Sequence, residues 1–234
     1  MLRQLNALVL GLAIVAGAML MATGPLYRSG STPLLTAFTL MRWAAYLGVL
    51  TVVLALVALV VGRGQRWMAG AALVIGATAF VIPYQWQRAA RSVPPIHDIT
   101  TDTTDPPTFV AVVPLRAKAP NKLDYSPDVG RRQREGYPDL GPRTLKLPRE
   151  QAFERALAAA RRAGWEIVAA DASAGRIEAT DTTRFFGFKD DIVVRLTPQG
   201  NLTRVDVRSV SRVGLSDVGT NARRIRQYLE SLGA

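Results

Sequence analysis

The sequence contains no cysteine and a single histidine, His97. The absence of cysteine excludes a disulfide framework, thiol catalysis and cysteine-based zinc or iron–sulfur sites. One histidine cannot form a multi-histidine metal site within a single chain. We therefore expect no metal and no cofactor, and an enzymatic mechanism would have to use His97 together with nearby carboxylates.

Acidic residues are absent before Asp98, and all 18 of them lie between Asp98 and Glu230. A carboxylate at the centre of a membrane helix costs about 2.5–3.5 kcal/mol, so an acid-free apolar region is typical of membrane segments. Three apolar runs, 5–23, 43–61 and 67–86, are each long enough to cross a hydrocarbon layer of about 30 Å. The sequence predicts a membrane domain over residues 1–88 with three transmembrane helices, the first of which is retained and not removed as a signal peptide.

The orientation of these helices follows less directly from charge. With the N-terminus inside, three arginines flank the spans on the cytoplasmic side and four on the other, so the positive-inside rule does not decide. The compact basic connection 62–66 favours the cytoplasmic side. We therefore expect a multi-pass protein of the bacterial inner membrane with a periplasmic C-terminal domain.

The net charge of +11 indicates a partner of opposite charge. Basic residues near a bilayer favour anionic lipid headgroups. Nucleic-acid binding is the other common interpretation of a high isoelectric point, but the chain has no stacking motif with regular aromatic spacing. The expected partners are the lipid bilayer, with an anionic lipid or an envelope protein, and no nucleic acid.

Proline is concentrated in the middle of the chain, where ten of the 14 prolines lie between Val93 and Pro148. Proline lacks an amide donor and restrains the residue before it, which disfavours regular structure. An apolar strip from Phe109 to Leu115 should nevertheless lie against a folded surface. We interpret residues 89–141 as a Pro-rich extended segment that wraps the following domain.

Residues 142–234 show the periodicity of a small folded domain. Phe153, Ala156, Leu157 and Ala160 recur at helical spacing, and a second helix is indicated near the C-terminus. Between these helices, four runs separated by turn residues are typical of strands: 165–170, 177–182, 192–196 and 202–213. The predicted fold class is α+β, with three transmembrane helices followed by a two-layer domain of antiparallel sheet packed with two helices.

Several blocks of this region resemble a known family, the domain of unknown function 1499. The similar blocks, in order, are PPIHDITTD at 94–102, GWEIV at 164–168, FGFKDD at 186–191, SRVG at 211–214 and NARRI at 221–225. The resemblance implies an extracytoplasmic domain, here in a form with three membrane helices. It implies no catalytic residues, because the family has no established activity.

The clearest candidate site is the approach to the last helix. Ser216 is the expected N-cap, and free amides at a helix N-terminus with nearby arginines could hold an anion. The alternative is an amphipathic helix capped in the ordinary way, with Asp217 offsetting the helix dipole. The residues assigned to binding are Arg212, Ser216, Asn221, Arg224, Arg184, Lys189, His97 and Asp98.

Two other chemistries remain open for the segment that begins at His97. Asp98, Asp102 and Asp105 offer oxygen ligands for Ca²⁺, but without the turn glycine and distal glutamate of a calcium-binding loop. His97 could act as a general base in an envelope hydrolase, although adjacent residues in an extended chain point in opposite directions. The preferred function is a non-enzymatic binding or accessory module for a lipid, an envelope component or a partner protein.

Overall fold

The computed structural model describes residues 2–61 and 65–233. The chain divides into two compact units, Met1–Ala89 with Phe185–Gly187, and Ala90–Arg184 with Phe188–Ala234. Three N-terminal apolar helices are followed by an antiparallel sheet packed with helices, which confirms the predicted α+β class. Residues 62–64 of the basic connection lie outside the described residues.

The membrane helices are α1 (Leu2–Arg28), α2 (Leu34–Val61) and α3 (Arg66–Arg91). All three are long and apolar enough to span a membrane. The predicted spans fall inside these helices, which continue beyond the apolar runs into more polar sequence. A helix does not end where its hydrophobicity ends, because its backbone hydrogen bonds are formed within the segment.

Small residues set the closest approach of α2 and α3. A Cβ atom on Gly48 would lie 2.6 Å from the carbonyl oxygen of Gly76, so a side chain at this crossing would collide with backbone. Such contacts favour helix association where lipid supplies no hydrophobic drive. Gly11 and Gly70 have open space around them, and only some of the small residues in these spans therefore serve packing.

The second unit contains a six-stranded antiparallel sheet. Its strands are β1 (Asp98–Thr100), β2 (Arg143–Leu145), β3 (Glu166–Asp171), β4 (Arg176–Thr182), β5 (Lys189–Gln199) and β6 (Leu202–Ser211). The order is β1-β6-β5-β4-β3, and β2 pairs with β6 along the same edge as β1. The four long strands agree with the sequence prediction, whereas β1 lies inside the stretch that was expected to be extended.

Helices α5 (Arg149–Arg162) and α6 (Thr220–Ser231) pack on one face of this sheet. Strand alternation sends Val205 and Val207 into this core, with Ile225 of α6 among the buried partners. Asp206 and Arg208 belong to the opposite face and are also buried. The sheet is therefore covered on both sides.

The opposite face is covered by residues 101–125, which we call the covering segment. Phe109 and Val112 are buried against Val193 and Val210 of the sheet. The apolar strip was expected to pack as a whole, and this is wrong for three of its members: Val110, Val113 and Leu115 are 53%, 48% and 54% exposed. The strip forms turns and a short 3₁₀ helix, so its side chains do not share one direction.

The Pro-rich stretch is also not extended throughout, because it contains a helix, α4 (Pro127–Gly136). The Ser126 hydroxyl accepts a hydrogen bond from the Asp128 amide at 3.2 Å and caps this helix. Pro127 occupies the first turn, where its missing amide proton costs nothing. Two local signals, a cap and an N-terminal proline, thus outweigh the proline content of the surrounding sequence.

Candidate functional site

A cleft of about 390 Å³ lies between the C-terminal end of α5 and the exposed side of α6. We call it the α5–α6 cleft. Helical spacing places Arg223, Gln227 and Ser231 along the same side of α6, one turn apart. Its lining comprises Ala159, Arg162, Ala163, Trp165, Asp181, Thr220, Arg223, Arg224, Gln227, Tyr228 and Ser231.

The floor of the cleft is organised by Arg224, whose side chain is 6% exposed. Its Nε and Nη2 atoms donate to Asp181 Oδ2 at 2.9 and 2.8 Å, and Nη2 also donates to Asp190 Oδ2 at 2.6 Å. Nη1 donates to the Ser209 hydroxyl at 3.1 Å and to the Asn221 side-chain oxygen. A buried guanidinium with every branch paired is a rigid support, because its charge and donors are satisfied.

Asp181 connects the buried Arg224 to the exposed surface of the cleft. Its side chain is 33% exposed. Both hydrogen bonds from Arg224 go to Oδ2, and Oδ1 accepts none from the described part of the chain. One carboxylate oxygen is therefore fixed in direction and open as an acceptor.

The rim carries the positive charge. Arg162 of α5 and Arg223 of α6 are exposed, and within residues 2–61 and 65–233 neither guanidinium forms an ion pair or a side-chain hydrogen bond. Trp165 stacks on Tyr228 with ring centroids 4.7 Å apart and forms a rigid aromatic wall. Two available guanidinium groups, one open carboxylate oxygen and an aromatic wall suit a ligand that combines an anionic group with a hydroxyl or ammonium group.

The family model described as protein of unknown function (DUF1499) matches residues 98–232. The chain belongs to this family. The match includes the sheet, both packing helices and every residue that lines the α5–α6 cleft. No curated protein matches the chain.

The predicted anion site at the start of α6 is arranged differently in this DUF1499 domain. The helix begins at Thr220, and Ser216 is not its N-cap: the Ser216 hydroxyl accepts from the Val218 amide at 3.1 Å. The Asp217 carboxylate accepts from the amides of Gly219 and Asn221 at 2.9 and 2.7 Å. Because these amides are occupied by a carboxylate of the same chain, the N-terminus is not an open anion site.

The backbone before α6 explains this shift of the cap. Val218 and Gly219 have φ angles of 53° and 73°. A β-branched residue in the left-handed region is strained and needs support from its surroundings. The two hydrogen bonds to Asp217 enclose this turn and supply that support. Burial raises the pKa of Asp217, and the two donated backbone hydrogen bonds act in the opposite direction.

Arg212 and Arg224 do not converge, because alternation along the strands places their partners on opposite faces of the sheet. Arg212 Nε and Nη2 donate to the two oxygens of Asp191 at 2.9 and 2.8 Å. Arg116 of the covering segment donates to Asp191 as well, at 2.6 Å. Arg224 and Asn221 instead belong to α6, and their side chains are both hydrogen-bonded to the Ser209 hydroxyl on the other face of the sheet.

Arg184 and Lys189 lie in and after the β4–β5 connection, outside the lining of the α5–α6 cleft. The ammonium group of Lys189 donates to the Thr182 hydroxyl at 3.3 Å. This bond joins two positions that are directly paired between β4 and β5. The backbone brings Lys189 next to Arg212, because the Arg212 amide donates to the Lys189 carbonyl at 2.9 Å.

His97 is half-buried, and its imidazole makes no hydrogen bond with the described residues. Its carbonyl accepts from the Ser211 amide and from the Asn221 side chain, both at 3.0 Å. The neighbouring Asp98 carboxylate accepts two hydrogen bonds from Arg208, at 3.0 and 2.7 Å. Asp98 is thus held by an arginine and does not orient the imidazole.

The other aspartates of this region are likewise held by arginines. Arg204 donates to Asp102 at 2.7 Å, and Arg195 donates to Asp105 at 2.8 Å. No group of three acidic or histidine side chains suited to a metal ion occurs among the described residues. The oxygen atoms considered for Ca²⁺ are therefore engaged in ion pairs.

Sequence reasoning did not find the α5–α6 cleft. Arg162 and Arg223 each follow or precede another arginine, a pattern typical of a solvated helix face. The sequence therefore does not distinguish them as site residues. The available signal was Trp165 directly after the Gly164 helix stop, where a large aromatic side chain must pack against a second element. That element is α6, and its identity depends on the fold.

Proposed function

We propose that this protein is a multi-pass protein of the bacterial inner membrane whose DUF1499 domain lies on the periplasmic side and binds an anionic component of the envelope in the α5–α6 cleft. The role is that of a binding module, without catalysis. Three candidate spans support the membrane location. The family resemblance and the odd number of spans support the periplasmic side.

The observation that carries the binding role is the uncompensated charge of Arg162 and Arg223. Elsewhere in the domain, buried arginines are matched by aspartates, as in the pairs of Arg208 with Asp98 and of Arg116 with Asp191. Arg162 and Arg223 both line the cleft, and beneath them one arginine, Arg224, pairs with two aspartates, Asp181 and Asp190. The floor therefore keeps one negative charge against the two positive charges of the rim. A phosphate between the two rim arginines would gain charge-assisted hydrogen bonds.

The Oδ1 atom of Asp181, which is open as an acceptor, limits which chemical groups a ligand can place beside it. It is an acceptor and repels a second anionic group, so it favours a hydroxyl or ammonium group attached near the phosphate. Phosphoglycerol and phosphoethanolamine both have this chemistry. They occur as lipid headgroups and as free compounds, and the shared feature is a phosphate with a neighbouring donor.

The test uses the full chain in nanodiscs of phosphatidylcholine, titrated with glycerol 1-phosphate and, separately, with inorganic phosphate in a calorimeter. We expect glycerol 1-phosphate to bind more tightly, because only it can also donate to Asp181. Arg162→Gln and Arg223→Gln should each weaken binding by about 1 kcal/mol, roughly fivefold. Nanodiscs that contain phosphatidylglycerol should reduce this binding if the natural ligand is the lipid headgroup.

Arg161→Gln is the matched control, because Arg161 carries the same charge on the same helix and is not among the residues lining the cleft. It should bind like the wild type. Equal losses in Arg161→Gln and Arg162→Gln would show a general charge effect and would contradict the cleft as the binding site. Absence of any binding to either phosphate compound would contradict the proposed ligand class.

The alternative function, an envelope enzyme that uses His97, has less support. The nearest carboxylate in sequence, Asp98, is occupied by Arg208, and no hydroxyl in the described chain is hydrogen-bonded to the imidazole. A general base contributes about 10²–10⁴-fold to a rate. Under our proposal, His97→Ala leaves cellular function unchanged at matched protein abundance.

A further inference from the structure

A second cavity, of about 410 Å³, lies within the covering segment. We call it the covering-segment pocket. Its size falls in the range of small-molecule sites, roughly 300–1,000 Å³, and it shares no lining residue with the α5–α6 cleft. The residues that line it are Thr108, Phe109, Val113, Arg116, Ala117, Asn121, Lys122, Leu123, Asp124 and Arg208.

Two buried arginines fix the walls of this pocket. Arg116 is 5% exposed and Arg208 is 3% exposed. Arg116 Nη2 donates to the Asn121 carbonyl at 3.0 Å, which joins the stretch 108–117 to the stretch 121–124. Arg208 Nη2 donates to the Leu123 carbonyl at 2.7 Å, and Nη1 donates to the Pro107 carbonyl at 3.3 Å. The pocket is therefore preformed, and a ligand does not have to order its walls.

Buried carboxylates do not fully compensate these arginines. Arg208 is paired with Asp98, but Arg116 and Arg212 share one carboxylate, that of Asp191. The buried Nε atom of Arg116 also has no acceptor within residues 2–61 and 65–233. These three arginines and two aspartates therefore sum to one positive charge.

The exposed side of the pocket carries two opposite charges, Lys122 and Asp124. Neither forms an ion pair or a side-chain hydrogen bond with another residue that the structure describes. Lys122 is therefore available to an anion, whereas Asp124 repels one. The total remains at one positive charge, which matches a ligand with a single anionic group.

The rest of the lining is largely apolar. Phe109 belongs to the apolar cluster between the covering segment and the sheet, and Leu123 packs against this cluster. Val113 is 48% exposed, and Ala117 lies beside it in the lining. An inorganic anion would leave this apolar surface in contact with water, whereas an organic acid would cover it.

We propose that the covering-segment pocket is a second ligand site of the domain, for a small organic acid that has one carboxylate and one apolar group. Lys122 pairs with the carboxylate, and Phe109, Val113 and Leu123 contact the apolar group. The inference is independent of the α5–α6 cleft and of the ligand proposed there.

The absence of cysteine allows a direct test, because one introduced cysteine is a unique labelling site. Ala117→Cys places a trifluoromethyl label at the pocket, and Ala163→Cys places the same label at the α5–α6 cleft as the matched control. Both positions are exposed. The labelled full chain in phosphatidylcholine nanodiscs is titrated with phenylacetate and followed by fluorine NMR.

We expect phenylacetate to produce a saturable shift of the label at residue 117 and none at residue 163. 2-Phenylethanol, which has the same ring without the charge, should bind about tenfold more weakly, because it lacks a charge-assisted hydrogen bond. Acetate has the charge without the ring and should also bind more weakly. Equal binding of phenylacetate and 2-phenylethanol, or no saturable shift at residue 117, would overturn the proposal.

Three exposed positions test the charge assignment without disturbing the core. Lys122→Gln should weaken phenylacetate binding about threefold, and Asp124→Asn should strengthen it by a similar factor, the scale of one exposed ion pair. Lys118→Gln is the matched control, since Lys118 is exposed in the same segment but does not line the pocket. Equal losses in Lys118→Gln and Lys122→Gln, or weaker binding in Asp124→Asn, would contradict the assignment.

Discussion

The face of the sheet under the covering segment contains buried charged side chains, which an ordinary apolar core does not. Asp191 is fully buried between Arg116 and Arg212, and it also accepts a hydrogen bond from the Thr180 hydroxyl at 2.7 Å. Burial alone would raise the pKa of Asp191. The hydrogen bonds from Arg212, Thr180 and Arg116 outweigh burial and hold the pKa below its usual range. The carboxylate is therefore ionised and central to this cluster.

Replacing Asp191 by asparagine should destabilise the domain by about 3–5 kcal/mol, because the buried Arg116 and the partly buried Arg212 lose their counter-charge. The free energy of unfolding is measured on the full chain in detergent by denaturant titration. Asp128→Asn is the control, since Asp128 is about half exposed and pairs with arginines on the helix surface. A similar small effect in both variants would contradict a structural role for the Asp191 cluster.

A comparison of the wild type with Asp191→Asn also predicts how the stability of the domain depends on pH. Because the folded-state pKa of Asp191 is lowered, its stabilising contribution is present above the unfolded value of about 3.9 and is lost as the pH falls through the lower folded value. The stability difference between the wild type and Asp191→Asn should therefore be largest near neutral pH. It should shrink as the pH is lowered below about 4. A difference that is constant over this range would contradict the ionised state of Asp191.

At the level of secondary-structure elements, α4 closes an open edge of the sheet. The Thr100 amide of β1 donates to Gln133 Oε1 at 2.9 Å, and Gln133 Nε2 donates to the Thr100 carbonyl at 2.6 Å. The side-chain amide thus replaces the backbone of a neighbouring strand. Natural sheets protect exposed edges in such ways, because an unpaired edge invites association with another chain.

Gln133→Ala should cost about 2–4 kcal/mol, because it leaves a buried backbone donor and a buried acceptor without partners. Gln151→Ala is the matched control, an exposed glutamine on α5. Denaturant unfolding of the full chain compares the two variants with the wild type. If Gln133→Ala unfolds at the same denaturant concentration as Gln151→Ala, the edge closure by α4 has no energetic role.

At the level of the whole molecule, the charge distribution separates a membrane part from a folded domain. The three candidate spans precede the first acidic residue, and the family match begins at Asp98, the position of that residue. Three crossings by these candidate spans would place the N-terminus and the domain on opposite sides of the membrane. Reporter fusions measure on which side of the membrane the domain lies.

Alkaline phosphatase is active only after export, because it needs disulfides that form outside the cytoplasm. With the N-terminus inside, fusions after Ser31 and after Gly233 should be active, and a fusion after Gln65 should be inactive. Enzyme activity is measured in a bacterial host and normalised to the amount of fusion protein. The reverse pattern would place the domain in the cytoplasm and would contradict the periplasmic part of the proposed function.

The membrane helices and most of the sheet could be predicted from sequence because their causes are local. The free energy of inserting a helix is close to a sum over its own residues, so the runs 43–61 and 67–86 could be recognised without a structure. Strands β3 to β6 carry their own alternation and turns. Strand β1 could not be recognised, since three residues show no periodicity and their pairing partner, β6, lies far along the chain.

The candidate site depended on the tertiary structure. Arg208 reaches Asp98 over 110 positions, and the partners of Asp191 come from the covering segment and from β6. The sequence suggested that Arg212 and Arg224 were available to bind a ligand. In the structure both form ion pairs within the domain. The sequence by itself determined which segments are long and apolar enough to span a membrane and where α5, α6 and the four long strands lie, but not β1 or α4. Only the fold decided which charges remain for a ligand, because ion pairing depends on strand register and on distances between residues remote in sequence.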